Sequence, residues 1–567
     1  MGKGASFVIP DDERLPQSID VVRISDRGQT VISAGVSGQK VVAEFNEKEP
    51  NKVNVIEILN VNDSVSADVL GIIRSYRLYE EFPDEVLSEA RHVAKLDPEE
   101  ISRREDLRES VIITIDPADA KDLDDAVSLE INKDGTYELG VHIADVSHYV
   151  RDGSLLDAEA YKRGTSVYFP GGVLPMLPQQ LSNNICSLNQ DVDRLALSCF
   201  MTIDKFGKII KSRVSETVIR SNTRFSYDTV QKILDGDEEE CKIHKKVVPM
   251  LNDMAVLTKV LEEIRRQRGE VIFDLPEPQI ILDEKTGKIA DVVAYPHLLA
   301  HRIIETFMIV CNETIAEFAL DRGLPFIYRI HERPDPAKIE HLSDMLKPFG
   351  IFQNFNPEHV KGQEIQKIVD KAEGDLKTVI SSLCLRSMQK AKYSAENLGH
   401  FGLGSKNYCH FTSPIRRLPD LLIHRIIKLM LENKTSSHKI EELNTFVVAA
   451  ADQSSKTELV AVNVEREVDN LKRAEFMNDH IGDVFSGIVS GVTEFGVFVY
   501  LLNTVEGLIK MENLPRGSDR EYYRFNEKNG TMSSPKRTIK MGDKIDVICA
   551  GVNLPRRQVE FAAVNKQ

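Results

Sequence analysis

The sequence contains no uninterrupted apolar run near the roughly 18 residues that a membrane-spanning helix requires, so no helical span is expected. The opening residues, MGKGASFVIPDDER, lack the apolar core of a signal peptide. Ala5 and Ser6 run straight into a strand-like segment, which argues against a myristoylation signal. No CxxC pair occurs among the seven cysteines, which excludes a zinc knuckle and a disulfide framework. Free, mostly buried thiols in a reducing cytoplasm are the expectation, and with them a cytoplasmic location. Internal repeats and low-complexity tracts are also missing. The chain lacks the positive charge usual for a partner of phosphate backbones, carrying a net −16 instead. Distribution matters more than the total. Residues 386–428 hold eight basic side chains against only Glu396 and Asp420, and the segment from Gly482 holds twelve basic against ten acidic residues. The acidic excess lies elsewhere, in runs such as Asp237 to Glu240 that read as solvated faces.

At 567 residues the chain is too long for one ordinary core, and three or four domains are expected. From residue 1 to about 75, short apolar runs (SFVIP, IDVVRI, TVISAGV, KVVAEF, KVNVIEIL) separated by turn residues predict a small barrel or sandwich. Residues 82 to 106 read as charged helix, VIITID (111–116) as a strand, and YELGVHIADVSHYV (137–150) as one or two strands. Helical spacing recurs at 151–163, 246–268, 297–322, 387–397, 418–432 and 440–478. From Gly482, five short strands with glycine-rich turns suit a five-stranded OB barrel. The fold class is therefore multidomain α+β, with a large central domain (81–478) between β domains at 1–80 and 479–567.

The strongest chemical signal is TIDPADAKDLDDAVS (114–128), which brings Asp116, Asp119, Asp122, Asp124 and Asp125 within ten residues. Crowded carboxylates raise one another's pKa unless a cation offsets them. Hard divalent ions with oxygen ligands are the natural solution, and two of them about 4 Å apart stabilise both oxygens of a phosphodiester displacement. A solvated acidic loop is the bland alternative. An EF-hand is a poorer one, since Lys121 stands where its glycine is required.

IDPADAKDLDDAVS resembles the active-site signature of the ribonuclease II/ribonuclease R family. Further blocks follow in family order: VHIADVSHYV, RGTSVYFPGGVLPMLPQQLSNNICSL, PFIYRIHERPD, GHFGLG and HFTSPIRRLPDLLIHR. The resemblance implies an RNB catalytic domain and a 3′→5′ exoribonuclease that hydrolyses RNA to 5′-mononucleotides. It implies Asp116, Asp122, Asp124 and Asp125 as Mg²⁺ ligands, with Mn²⁺ able to substitute; Asp119 falls at a variable position. It further implies Asp124, Arg416 and Glu465 as catalytic, Arg416 at the scissile phosphate. Tyr168 would hold the 3′-terminal nucleotides and Phe326 would stack on the base column, although Phe326 between Pro325 and Ile327 otherwise reads as core. Arg417 reads as a surface or backbone contact. Departures occur at Leu418, where tyrosine is usual, and at Thr306, where a second acid is expected.

Residues 482–565 resemble the S-one RNA-binding domain, with Phe495 and Phe498 set to stack on bases and Lys510, Arg520 and Arg524 available to phosphates. Lys510 replaces the usual histidine. The N-terminal segment resembles the second cold-shock-like domain of the same enzymes, through FVIPDDERLP and QKVVAEF. Measured against the family, its first strands, a preceding cold-shock domain, a helical leader and a basic tail are missing, the pattern of an N-terminally truncated member. The expected partner is single-stranded RNA, threaded 3′ end first into the central domain of a monomer without membrane association. Two rivals are a non-catalytic RNA-binding protein on the same scaffold and the eukaryotic exosome nuclease, which carries an additional endonuclease domain.

Overall fold

The computed structural model describes residues 6–564 except 13, 28, 31–37, 60–64, 274, 284–288, 516–521 and 528–529. Most of the predicted strand TVISAGV and the proposed phosphate contact Arg520 lie outside the described residues. The N-terminal unit is an open five-stranded sheet, not a closed barrel among the described residues. Its path runs Phe7–Val8, Ile19–Asp26, Val53–Ile58, Val41–Phe45, with Gln29–Thr30 paired to Ile19–Asp26.

The centre is a seven-stranded mixed sheet in the order Thr223–Ser226, Ile113–Asp116, Asp125–Ile131, Tyr137–Ala144, Asp193–Ile203, Ile209–Arg220, Glu105–Asp106. Its central strands are buried on both faces: Leu139, Val141 and Ile143 on one side, His142 on the other, all at 1% exposure or less. A strand covered on both sides must also satisfy its polar groups. His142 does so between Ser128 Oγ at 3.0 Å and Ser198 Oγ at 2.7 Å. Helices Val248–Arg268 and Leu299–Asp321 pack on each other and on this sheet.

The segment 137–150 forms one strand and then a helical turn, Val146–Tyr149, capped by Asp145. The predicted helix 387–397 is displaced: the helix is Asp375–Ser387, and Lys392–Ser394 is a strand paired with Tyr328–Ile330. Pairing that buries Tyr393 outweighs the local helical spacing.

Asp145 is fully buried and accepts from Arg104 Nη2 at 2.6 Å, Lys428 Nζ at 2.8 Å and Ser147 Oγ at 2.6 Å. Burial alone would raise its pKa, but the two cations hold it well below the usual carboxylate range. A depressed folded pKa stabilises the fold above the unfolded value of about 3.9 and loses that contribution as pH falls through the folded value. Asp145→Asn should therefore cost about 3 kcal/mol at neutral pH, since it removes the fully buried charge that both cations answer and leaves them only Glu100 and Glu216. Urea denaturation at pH 7, at pH 4 and in stronger acid checks this: the deficit should be nearly the same at pH 7 and pH 4 and narrow only below pH 4.

One 42-residue helix, Ser437–Asn478, joins the parts. It touches the N-terminal helix Ala67–Ser75, the strands Val167–Phe169 and Lys392–Ser394, and the C-terminal barrel. Glu467 on this helix takes the Tyr76 hydroxyl at 2.5 Å from the N-terminal side and Arg557 at 2.7 Å from the C-terminal side. The C-terminal barrel closes through Val484–Thr493, Gly496–Leu501, Glu506–Lys510, Gln558–Ala563 and Lys544–Asn553, the five predicted strands. Gly496 lies so close to the next strand that a Cβ would meet the Ile509 carbonyl oxygen at 2.2 Å. No helix among the described residues is long and apolar enough to cross a membrane.

Candidate active site

The acidic loop is fastened by its own backbone. Arg224 donates to the carbonyls of Ala118 and Ala120, at 3.0 and 2.5 Å. Ser187 Oγ donates to the Lys121 carbonyl at 2.8 Å and accepts the Leu123 amide at 3.1 Å. Leu123 is fully buried beneath. Asp116 ends one strand and Asp125 begins the next, so Asp122 and Asp124 are set between two fixed ends.

The carboxylates are differently committed. Asp124 Oδ1 accepts the Ile415 amide at 2.8 Å, while its Oδ2 is buried without a hydrogen-bond partner, 3.6 Å from Arg416 Nε. Asp116 Oδ2 is likewise buried and unpartnered. Asp122 Oδ2 accepts the Tyr168 hydroxyl at 2.5 Å. Burial pushes the pKa of Asp116, Asp124 and Asp125 upward; Asp125 and Asp122 add to the rise at Asp116, and Arg416 opposes it at all three. Asp125 reaches about 6, held from rising further by Arg416 and Arg417. Orphaned acceptor oxygens in an under-neutralised pocket of hard donors fit a hard divalent cation. Among the described residues no three His, Cys, Asp or Glu side chains close into a ready-made metal cage. An ion that keeps several waters and shares its shell with substrate phosphate does not need one.

Arg416 is well placed for a phosphate. Its backbone carbonyl is pinned by Ser166 N–H and Thr165 Oγ1, both at 3.0 Å, and its Nη2 reaches Ser413 Oγ at 3.0 Å, yet its side chain remains 44% exposed. Arg417 is not the surface contact that the sequence suggested: it binds the fully buried Asp420 at 2.6 Å. Glu465 reaches the site from the long helix and accepts the Tyr168 amide at 2.9 Å. Burial raises its pKa, opposed by that amide, and Asp469 one turn on adds to the rise. Tyr168 stands beside this acid, 39% exposed.

Phe326 does not fit its expected role. At 1% exposure it lies in the central hydrophobic core, its ring 5.7 Å from Tyr328 in an edge contact, and no face is open to a base. The flanking Pro325 and Ile327 had marked it as core. Phe495 is 54% exposed and Phe498 half-buried, their rings at 6.1 Å, on the barrel far along the chain from the acidic loop. Phe498 lines a cleft of about 630 Å³ shared with Lys338, His341 and Arg386. Lys510 is already paired with Glu560 at 2.8 Å. Thr306 is buried, and the acid of that helix turn is the exposed Glu305 next to it.

Sequence reasoning missed Arg224 and Tyr227. Thr223–Ser226 pairs in parallel with Ile113–Asp116 so that Ser226 lies opposite Asp116. This sets Tyr227 beside the acids: burial raises its phenol pKa, and Asp125 and Asp116 raise it further. Its ring stacks on His301 at 3.9 Å.

The order of domains along the chain is that of known proteins. The RNB domain matches residues 104–433, an S1 RNA binding domain 478–562 and a cold shock domain 7–83. Ribonuclease R 1 of Lactococcus lactis is 41% identical over 511 residues, covering 89% of this chain and 62% of its own. Ribonuclease R of Thermotoga maritima is 38% identical over 99% of this chain and 79% of its own. The Mycoplasma genitalium RNase R, solved in complex with ribose methylated single-stranded RNA, superposes with a TM-score of 0.87 at 28% identity, over 99% of this chain and 89% of that one. The chain belongs to the ribonuclease R family of RNB-domain exoribonucleases.

Proposed function

We propose that the chain is a hydrolytic 3′→5′ exoribonuclease that degrades single-stranded RNA processively, as a monomer, to nucleoside 5′-monophosphates. The observation that carries this is the pair of buried, unpartnered carboxylate oxygens on Asp116 and Asp124, the latter 3.6 Å from the half-exposed Arg416. Asp116, Asp122, Asp124 and Asp125 would hold Mg²⁺, which when bound supplies a water nucleophile of lowered pKa and neutralises charge on the phosphate. Arg416 offers a planar, permanently charged fork to the phosphate oxygens and so steadies the charge that develops during displacement. Glu465 fixes the Tyr168 backbone, and Tyr168, anchored through its hydroxyl to Asp122, presents its ring to the last nucleotides. Incubation of 5′-labelled oligoadenylate with Mg²⁺ tests the reading: the label should pass from full length to a short end product with few intermediates, and internal cuts or no cleavage would overturn it.

Metal dependence follows from the all-oxygen donor set. EDTA should abolish cleavage and Mg²⁺ or Mn²⁺ restore it, whereas zinc-selective chelators should have no effect. Full activity after exhaustive EDTA treatment would contradict this.

Tyr168→Ala should lengthen the final undegraded fragment by one or more nucleotides without abolishing catalysis. Release occurs when too few nucleotides remain to be gripped, and each stacked base is worth roughly 1–3 kcal/mol. The smallest band on a high-resolution gel decides it. An unchanged end product with a rate lower by orders of magnitude would place Tyr168 in the chemistry instead.

A further inference from the structure

His410 sits six residues before Arg416 and has no part in the scheme above. Its ring is partly exposed, and its neighbours are cations: Arg417, Arg329 and Arg416 all act on it, together with His400. Its Nδ1 lies 2.8 Å from the hydroxyl of Tyr393, a tyrosine 6% exposed whose ring also carries Arg329 at 4.7 Å. That contact decides the tautomer. Among the described residues the Tyr393 hydroxyl has no other hydrogen-bond acceptor, and a buried hydroxyl that fails to donate is costly. Tyr393 therefore donates to Nδ1, Nδ1 carries no proton, and the single proton of the neutral ring resides on Nε2. Among the described residues Nε2 has no hydrogen-bond partner, and the ring that carries it is partly exposed. Burial and the surrounding arginines keep the ring neutral near pH 7.

The arginines nearby are largely spoken for. Arg417 is bound to Asp420 and Arg329 to Glu458 at 2.6 Å. With both so neutralised, the ring beside them is one oriented, uncharged donor.

We propose that His410 is a substrate-binding residue for the RNA strand, offering its Nε2–H to a phosphodiester oxygen near the scissile end, with Tyr393 as the positioning residue that fixes the tautomer. The proposal rests on the exoribonuclease reading for the identity of the strand, but its test does not require cleavage. A neutral donor adds a hydrogen bond without displacing a counterion. Removing it should weaken binding while leaving the salt dependence unchanged, whereas loss of an arginine–phosphate contact flattens the slope by about 0.7 for single strands.

The experiment measures binding of fluorescent oligoadenylate to the full chain in EDTA across a salt series, and steady-state cleavage with Mg²⁺. His410→Asn keeps an acceptor for Tyr393 and so protects the fold, but lacks the distal N–H; His410→Gln retains a distal N–H. Binding should fall about tenfold in His410→Asn, with an unchanged salt slope and kcat within about twofold, and largely recover in His410→Gln. Tyr393→Phe should weaken binding less and release the tautomer, seen as mixed Nδ1 and Nε2 protonation in ¹⁵N spectra of labelled histidine. Wild-type binding in both His410 variants overturns the proposal, as does loss confined to kcat or a flattened salt slope. Wild-type protein that binds oligoadenylate but does not cleave it would sink the exoribonuclease reading while leaving the His410 measurement intact.

Discussion

Asp124→Asn is expected to lower kcat by at least about 10²-fold, the scale seen when one preorganised electrostatic contact to a transition state is lost. The substitution is close to isosteric. The amide oxygen can still accept the Ile415 N–H at 2.8 Å, so the loop that carries Arg416 keeps its anchor. What disappears is the charge, and with it the orphan oxygen that faces Arg416 and a bound cation. RNA should still bind, because no stacking ring and no basic side chain has changed. Binding of oligoadenylate in EDTA and single-turnover cleavage with Mg²⁺ separate the two effects. A variant that cleaves within about tenfold of wild type, less than about 1.4 kcal/mol of barrier, would remove Asp124 from the metal site.

Arg416→Lys should be nearly as damaging, with a fall of about 10²-fold in kcat. Lysine keeps the positive charge but presents a compact ammonium in place of a planar fork, so it cannot hold two phosphate oxygens at once. It also loses the contact from Nη2 to Ser413, which sets the direction of the guanidinium. Arg417→Lys offers a contrast. That arginine is bound to buried Asp420, so its replacement should appear first as lost thermal stability. If Arg416→Lys retains full activity, a charge alone suffices at this position and the fork assignment is wrong.

The nearness of the four aspartates was legible because they lie within ten residues on one loop between two strands. Arg416 and Glu465 were legible only through family resemblance; their spacing from the acids carries no local signal, and on composition alone Glu465 is one more helical acid. Arg224 and Tyr227 could not be read at all. They arrive beside Asp116 through a parallel pairing of strands 110 residues apart in register, Thr223 against Ile113, and nothing in RSNTRFSYD announces that partner. Phe326 shows the opposite error: its apolar neighbours marked it as core, and resemblance overrode a correct local signal. The misplaced helix at 387–397 has the same origin as the missed residues, since the edge pairing of Lys392–Ser394 is decided by Tyr328–Ile330, far away in the chain. The five C-terminal strands were readable because each is a short apolar run bounded by turn residues, even though two seams of the barrel, Leu508 against Glu560 and Val484 against Ile548, join distant segments.

Glu465 and Glu467 stand two residues apart on the same helical turn, and residues so spaced point to different sides. One carboxylate holds the backbone of Tyr168; the other ties Tyr76 to Arg557. The helix is thus a shared spar: within one turn it carries both the fastening of the outer units and the fastening of the tyrosine beside the acidic loop, so a break in that turn would loosen both at once.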